Sequence, residues 1–168
     1  MIQQLTDEKY VMPSENLFCL AKLLLKENNI DQWQSEYPNG YDAKRDIDSK
    51  VAYGYFIDDQ LVGYMAIQTQ DDPNYATIDG KWLTDGNYLT IHRICVDPSF
   101  AHQGISKAMI DYVINKAKQK NCSVRVDTHK DNRAMQHVLR DCGFVYCGII
   151  QLIYDGTYRL AYELKVDR

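Results

Sequence analysis

Several features that would direct the chain to a special environment are missing from the sequence. The N-terminal stretch MIQQLTDEKYVM has no basic region followed by a long apolar run, so no signal peptide is expected. No apolar run approaches the roughly 20 residues that a membrane-spanning helix needs. The five cysteines form no CxxC pair, and their odd number suits a reducing compartment better than a disulfide framework. A cytoplasmic location without membrane contact is therefore expected.

An excess of positive charge is also missing. The formal net charge is −4, which argues against a general nucleic-acid-binding protein, because such proteins bind through a basic surface. The sequence has neither a GxxxxGK[ST] loop nor a GxGxxG pattern, so little favours a nucleotide-binding domain. Neither a nucleic-acid partner nor a metal site is predicted.

The residues that are present suit one folded domain over residues 1–168. Of these residues, 45% are apolar and 25% are charged, which is a normal globular composition. Helical spacing predicts helices over about 14–28, 41–49, 106–120 and 132–142. Strand-like runs are VAYGYFI, LVGYMAIQTQ, YLTIHRICV, CSVRVDT, FVYCGIIQLIY and TYRLAYELKV, with hairpins at both ends of the order. This order predicts an α+β domain with a mixed sheet, in which residues 88–128 form a right-handed parallel strand–helix–strand unit.

The stretch ICVDPSFAHQGISKAMIDYV leaves a strand, turns at a proline and starts a helix without an acidic residue between Asp97 and Asp111. A helix N-terminus offers unpaired N–H groups and the positive end of a dipole, which together favour an anion such as pyrophosphate. Gly104 lets the backbone approach such a ligand, because it has no Cβ. Taken alone, Gly104 is better explained as an ordinary turn residue.

Two segments resemble the GNAT N-acetyltransferase superfamily. CVDPSFAHQGISKAM is similar to its acetyl-CoA-binding segment, in which a pattern Arg/Gln-x-x-Gly-x-Gly/Ala opens a helix, although Ala101 and Ser106 depart from that pattern. DNRAMQHVLRDCGF resembles the family's next helix, which an Asn opens and Gly-Phe closes. The resemblance implies a central, mostly antiparallel sheet flanked by helices, and acetyl-CoA as cofactor. The cofactor-binding residues that it implies are Ile94, Cys95, Val96, His102, Gln103, Gly104, Ile105, Ser106, Lys107, Asn132 and Met135.

The implied reaction moves an acetyl group from acetyl-CoA to a primary amine of a small molecule or protein by direct attack. Because an amine with a pKa near ~10.4 is mostly protonated at neutral pH, a base must take up a proton. His92 on the strand TIHRICV is the predicted catalytic base, and a histidine packed in the sheet is the alternative. Arg93 points to the other face and is expected to be structural. Leu139 stands where the family often has a tyrosine acid, so no acid is predicted.

The acceptor side is expected in the irregular segments before the second helix and before the central strand. Trp33, Tyr37 and Trp82 lie there and are the predicted acceptor-binding residues, although anchoring of the loops is the more common role of such aromatic residues. The closing hairpin makes a homodimer possible. The alternative function is a non-catalytic acyl-CoA-binding regulatory module, which the departures at Ala101, Ser106 and Leu139 would permit.

Overall fold

The structure is a computed structural model, and it describes residues 1–166. The four helices are α1 (Val11–Glu27), α2 (Gly40–Asp48), α3 (Ile105–Lys120) and α4 (Arg133–Asp141). The eight strands are β1 (Ile2–Gln4), β2 (Ala52–Ile57), β3 (Gln60–Gln68), β4 (Asp79–Gly80), β5 (Tyr88–Val96), β6 (Ser123–Thr128), β7 (Val145–Gln151) and β8 (Tyr158–Leu164). One-turn 3-10 helices lie at Glu8–Tyr10, Pro73–Tyr75 and Pro98–Phe100.

The strands form a sheet in the order β1-β2-β3-β5-β6-β8-β7-β4. The β5–β6 pair is parallel, with Tyr88 opposite Ser123. The pairs β1–β2, β2–β3, β6–β8, β7–β8 and β4–β7 are antiparallel. The predicted α+β fold, with a mostly antiparallel sheet and one parallel strand–helix–strand unit, is therefore confirmed. The right hand of that crossover stays a prediction.

The chain divides into two compact units. The first unit comprises Met1–Ile67 and His92–Met109, and the second comprises Gln68–Ile91 and the described residues from Ile110 onward. The boundary runs through β5 and α3, because each of these elements contributes residues to both units. The single domain over 1–168 stays a prediction.

The core of the first unit forms between its helices and strands. Leu17, Phe18 and Ala21 lie three or four residues apart on α1 and are buried, as the helical period requires. They pack with Ala43 and Ile47 of α2. The helix begins at Val11, about three residues before the predicted start, with Pro13 in its first turn. Proline is tolerated there because the first N–H groups of a helix have no intrahelical partner.

Turn and cap residues explain most of the boundaries that the sequence predicted. The β2–β3 turn places Asp58 and Asp59 at φ of 46° and 62°, the backbone that a two-residue hairpin requires. The side chain of Asn132 accepts a hydrogen bond from the Met135 N–H and caps α4. Gly143, at φ 89°, follows the end of that helix. Asn132 therefore stands at the start of α4 as its N-cap.

The sequence did not predict β1 and β4. They are three and two residues long, which is too short for a two-residue period to stand out. Pairing creates them, since β1 lies against β2 and β4 lies against β7. In the part of the chain that the structure describes, no helix is long and apolar enough to cross a membrane.

Candidate active site

Hydrogen bonds within the first unit hold the end of β5 in place. The Asp97 N–H donates to the Val62 carbonyl at 2.8 Å, which ties the strand end to β3. The Asp97 carboxylate then accepts from the Ser99 N–H at 2.8 Å and caps the one-turn helix Pro98–Phe100. The Val-Asp-Pro turn of the sequence is therefore a rigid exit from the strand.

The loop that follows, residues 101–104, is exposed along its whole length. His102 and Gly104 both adopt the left-handed backbone, at φ of 63° and 74°. The Gly104 carbonyl accepts from the Ala108 N–H at 2.9 Å, so Gly104 directly precedes the first turn of α3. A Cβ on Gly104 would have no heavy atom within 4 Å. Glycine is favoured there by its backbone angle, and the space beside it is open.

The first turn of α3 has the donors for an anion and no acidic residue. The Ile105 side chain is buried, so this residue can face a ligand only through its backbone. Ser106 is half-buried and Lys107 is exposed. On the strand side, Gly63 of β3 leaves room for α3, because a Cβ there would lie 2.9 Å from the Met109 sulfur.

The strand segment before this loop alternates between half-buried and buried residues. His92, Ile94 and Val96 are half-buried, whereas Arg93 and Cys95 are buried. Burial raises the pKa of the Cys95 thiol to about 12, so this thiol stays protonated at neutral pH. Cys95 can therefore serve a ligand through its backbone and not as a nucleophilic thiolate.

Arg93 departs from regular strand geometry. Its φ is +52°, a left-handed value that is unusual for a residue with a side chain and costs about 1–2 kcal/mol. Its guanidinium forms two bonds to Asp46 of α2, Nε–Oδ2 at 2.8 Å and Nη2–Oδ1 at 2.7 Å. The third nitrogen, Nη1, donates to the Tyr37 hydroxyl at 2.9 Å. The structural role predicted for Arg93 agrees with these contacts.

The same carboxylate has a further donor. The Tyr64 hydroxyl donates to Asp46 Oδ2 at 2.7 Å from within the core. Burial alone lowers the pKa of Arg93, but Tyr37 and Asp46 outweigh it, and the net pKa lies above the ordinary value. Burial and the Asp46 charge raise the pKa of Tyr64 well above its usual range. Arginine and tyrosine thus both keep their protons throughout the physiological range.

The predicted acceptor-binding residues of the first unit take part in packing. Trp33 meets Phe18 edge to face, with ring centroids 6.4 Å apart. Tyr37 is held through its hydroxyl by Arg93. Both side chains remain half-buried. Their role toward an acceptor stays a prediction, and their anchoring of the segment before α2 is observed.

Trp82 lies in the second unit, where its ring already stacks on a cation. The Arg125 guanidinium lies 4.2 Å from the Trp82 ring centroid and 4.1 Å from that of Tyr88. The Trp82 indole N–H donates to the Tyr75 carbonyl at 3.0 Å. One aromatic face that was predicted for a cationic acceptor is thus covered by the chain's own arginine.

A buried carboxylate completes this part of the second unit. Glu163 of β8 lies opposite Arg125 of β6, and its Oε1 accepts a hydrogen bond from Arg125 Nε at 3.2 Å. Glu163 also accepts from the backbone N–H of Leu83 at 2.6 Å and from the Thr84 hydroxyl at 2.6 Å. These bonds fasten the loop that carries Trp82 to the sheet.

The start of α4 also belongs to the second unit. Asn132 and Met135 are half-buried there, and Leu139 is completely buried. Leu139 is thus a core residue with no proton to donate. The structure brings His92, the end of β5 and the 101–107 segment together in the first unit, and it places Asn132, Met135 and Trp82 in the second. Among residues 1–166, no cluster of three or more His, Cys, Asp or Glu side chains could hold a metal ion.

Comparison with known proteins decides the family. The model of the acetyltransferase (GNAT) family matches residues 20–144. The chain belongs to this family. It is therefore an acetyltransferase, as the two sequence segments predicted.

Solved structures agree with this assignment. A GNAT acetyltransferase from Streptococcus agalactiae is 34% identical, with a TM-score of 0.90 over 100% of this chain and 95% of that chain. An acetyltransferase structure from Staphylococcus aureus is 21% identical, with a TM-score of 0.73 over 99% of both chains. The ribosomal-protein-S18-alanine N-acetyltransferase of Escherichia coli shares the fold at 13% identity, with a TM-score of 0.69 over 100% of this chain and 94% of that chain. No curated protein matches the chain significantly.

Sequence reasoning missed one residue of this GNAT acetyltransferase that lies close to the predicted site. Asp46 holds Arg93, the neighbour of His92, and nothing in the strand pattern indicates this. The signal lay in α2, where the buried face comprises Asp42, Ala43, Asp46 and Ile47. An acidic residue on the apolar face of a helix needs a buried partner, so Asp46 should have prompted a search for a cation.

Proposed function

We propose that this acetyltransferase uses acetyl-CoA and transfers the acetyl group to a primary amine of a small molecule or protein by direct attack. The observation that carries the proposal is the exposed left-handed loop 101–104 leading into α3, a 16-residue helix without an acidic residue in its first turn. Such a helix start binds anions through backbone N–H groups and its dipole.

The residues present fit a pyrophosphate. His102, Gln103 and Gly104 form the loop, and Ile105, Ser106 and Lys107 form the first helical turn. The open space beside Gly104 leaves room for a ligand against the backbone. Lys107 adds a cation at the end of a helix where a cation is otherwise unfavourable, which suits a bound anion. Ile94, Cys95 and Val96 would contribute backbone groups of β5, and Asn132 and Met135 the start of α4.

Acetyl-CoA, when bound, would supply an acetyl group activated as a thioester, and the CoA thiolate, whose thiol has a pKa of ~8.5, would be a good leaving group. The acceptor must arrive as a neutral amine, so a proton has to leave it. We assign the uptake of that proton to His92, directly or through a water, because an imidazole nitrogen can accept a proton and His92 lies two residues before Ile94 on β5. Transfer forms a C–N bond and breaks the C–S bond. With Leu139 buried, the thiolate would leave without a proton from α4.

The acceptor is proposed only as a class. The Escherichia coli enzyme that shares this fold is a ribosomal-protein-S18-alanine N-acetyltransferase. This supports a protein amine as a candidate acceptor, in addition to a small-molecule amine. Trp33, Tyr37 and Trp82 are proposed to contact it through whatever ring surface their internal partners leave open. Neither nucleic acid nor a membrane is proposed as a partner, and a cytoplasmic location stays a prediction.

A homodimer is also proposed, through the closing β7–β8 hairpin. Its exposed apolar side chains suit a protein contact. They are Val145, Tyr146, Ile153, Tyr154 and Tyr158, each at least 49% exposed. Light scattering of the purified protein tests this arrangement, since a monomer at working concentration would contradict it.

Replacement of Gly104 tests the anion site. Gly104→Val places a branched side chain at φ 74° and fills the open space, so calorimetric titration with acetyl-CoA should show binding weakened by at least about tenfold. Gly156→Val is the matched control, because Gly156 has φ 72° in the β7–β8 turn and so carries the same backbone strain. Wild-type affinity for acetyl-CoA in Gly104→Val would refute the anion site at residues 101–107. An equal loss of affinity in Gly104→Val and Gly156→Val would show that the loss comes from a folding defect.

A further inference from the structure

Arg93 occupies an unusual position in β5. Arg93 has a left-handed backbone, and it lies between His92, the proposed base, and Ile94, the first proposed cofactor-binding residue. A left-handed residue turns the peptide groups on both of its sides away from the directions of a regular strand. The angle at Arg93 therefore helps to set the direction of the His92 side chain.

The contacts of the Arg93 side chain keep this unusual backbone in place. The guanidinium and the Asp46 carboxylate are only 6% and 2% exposed. Their two parallel hydrogen bonds fix the plane of the guanidinium, which a single contact would not. Strained backbone of this kind persists only where the surroundings over-determine it, and it is concentrated at functional sites.

A third contact extends the arrangement to the segment between α1 and α2. The Tyr37 hydroxyl accepts from Arg93 Nη1 at 2.9 Å, and the segment before α2 carries the proposed acceptor-binding residues Trp33 and Tyr37. One guanidinium thus connects the conformation of β5 at His92 with the placement of that segment. An ion pair that served stability alone would require neither the left-handed backbone nor Tyr37.

We propose that Asp46 is a positioning residue for acetyl transfer. Its paired hydrogen bonds to Arg93 hold β5 in its irregular conformation and aim His92, and through Tyr37 they seat the acceptor segment. This inference rests on the proposed role of His92. It predicts a change in turnover with little change in acetyl-CoA affinity, because neither Asp46 nor Arg93 is among the residues proposed to bind the cofactor.

The decisive variant removes the paired hydrogen bonds between Arg93 and Asp46 and keeps the core filled with apolar side chains. A buried ion pair can often be replaced by apolar residues of similar volume without loss of stability. Arg93→Met combined with Asp46→Leu should therefore fold, lower kcat at least about tenfold and leave the dissociation constant for acetyl-CoA within about threefold. The matched control is Arg45→Met, which breaks the Arg45–Asp42 ion pair on the same helix. In that pair Arg45 Nη2 lies 2.6 Å from Asp42 Oδ1, and the arginine side chain is exposed.

A readout that does not depend on activity separates this inference from the proposed function. The ring-proton NMR signals of His92, assigned by their loss in His92→Ala, should shift in the double variant and not in Arg45→Met. If the double variant does not fold, Arg93→Lys serves the same measurements, since lysine keeps the charge and loses the paired bonds.

The outcomes are distinct. A folded variant with wild-type kcat and unshifted His92 signals would overturn the positioning role. Wild-type protein without turnover on any amine would instead refute the proposed function, while shifted His92 signals would still show that Asp46 sets the position of the imidazole.

Discussion

A buried arginine–carboxylate pair lies in each compact unit, and these two pairs are built differently. Arg125 and Glu163 are direct neighbours on the antiparallel strands β6 and β8. Arg93 lies on β5, and its partner Asp46 comes from helix α2. Arg93 has a left-handed backbone, whereas Arg125 is stacked between two aromatic rings. The same chemical pair therefore serves a regular strand in one unit and an irregular one in the other.

The partners of each pair show what it stabilises. Glu163 collects donors from Leu83 and Thr84, so its pair fastens a loop to the sheet. Asp46 accepts hydrogen bonds from Tyr64 and Arg93, and Arg93 also donates to the Tyr37 hydroxyl. The Arg93 pair thus acts on the strand that carries His92. A buried ion pair alone does not indicate function, and the backbone it holds is the more informative observation.

The largest effect is expected beside the Arg93 pair, at His92 itself. His92→Ala should lower kcat by about 10²–10⁴-fold while acetyl-CoA affinity stays near that of the wild type, because a general base acts on the acceptor proton. The loss should shrink at high pH, where the amine deprotonates unaided. Thiol release measured across pH checks this, with the exposed His137→Ala as control. An unchanged rate at every pH would return His92 to a packing role.

The Arg125 pair should reveal itself in stability. Glu163→Gln leaves a buried arginine without its counter-charge, and its amide N–H₂ must face either the N–H donors of Leu83 and Thr84 or the Arg125 guanidinium. We expect the free energy of unfolding to fall by about 3–5 kcal/mol, as measured by urea denaturation. A loss below about 1 kcal/mol would mean that solvent or another group replaces the charge.

The same carboxylate predicts a pH dependence of stability. Burial favours its protonated form, but hydrogen bonds from Ser123 and Thr84 and the charge of Arg125 outweigh burial, so the pKa of Glu163 lies below its usual value. A lowered folded pKa contributes stability that is complete above the unfolded value of about 4.3 and is lost as pH falls through the folded pKa. Urea midpoints measured from neutral pH down to about pH 2 should fall more steeply for the wild type than for Glu163→Gln. Parallel curves would contradict the lowered pKa.

The smallest effect is expected at the exposed counterpart of these pairs. Arg45 is 65% exposed in its pair with Asp42, so solvent screens the interaction. Arg45→Met should change the free energy of unfolding by less than about 1 kcal/mol in urea denaturation. A cost as large as that of Glu163→Gln would show that burial does not separate the two kinds of pair.

Most of the fold followed from local signals in the sequence. Helical spacing located α3, and turn residues such as Asp58 and Asp59 located the first hairpin. The segment around Gly104 identified the family, because a strand exit and a helix start leave their mark over a few adjacent residues. The short strands β1 and β4 were missed, since only long-range pairing defines them.

The site itself was less accessible to sequence reasoning. Alternation along β5 assumes an extended backbone, and the left-handed angle at Arg93 breaks that assumption next to His92. Asp46 is 47 residues from Arg93 in the chain, so no spacing rule connects them. Trp82 was predicted to face an acceptor, but a tryptophan in a loop does not show that Arg125 will cover one of its faces. These features depend on tertiary contacts between distant segments.

Calorimetric titration of the wild-type protein with acetyl-CoA, beside NAD and ATP, tests the central claim most directly. The account predicts selective binding of acetyl-CoA, because the 101–107 segment is proposed to hold its pyrophosphate and the strand residues Ile94, Cys95 and Val96 are proposed to add further backbone contacts to this cofactor. Selective binding would lead directly to a screen of amines for thiol release. Absence of binding would contradict the account and leave the exposed loop before α3 as an ordinary turn. Equal binding of all three ligands would contradict the proposed selectivity for acetyl-CoA.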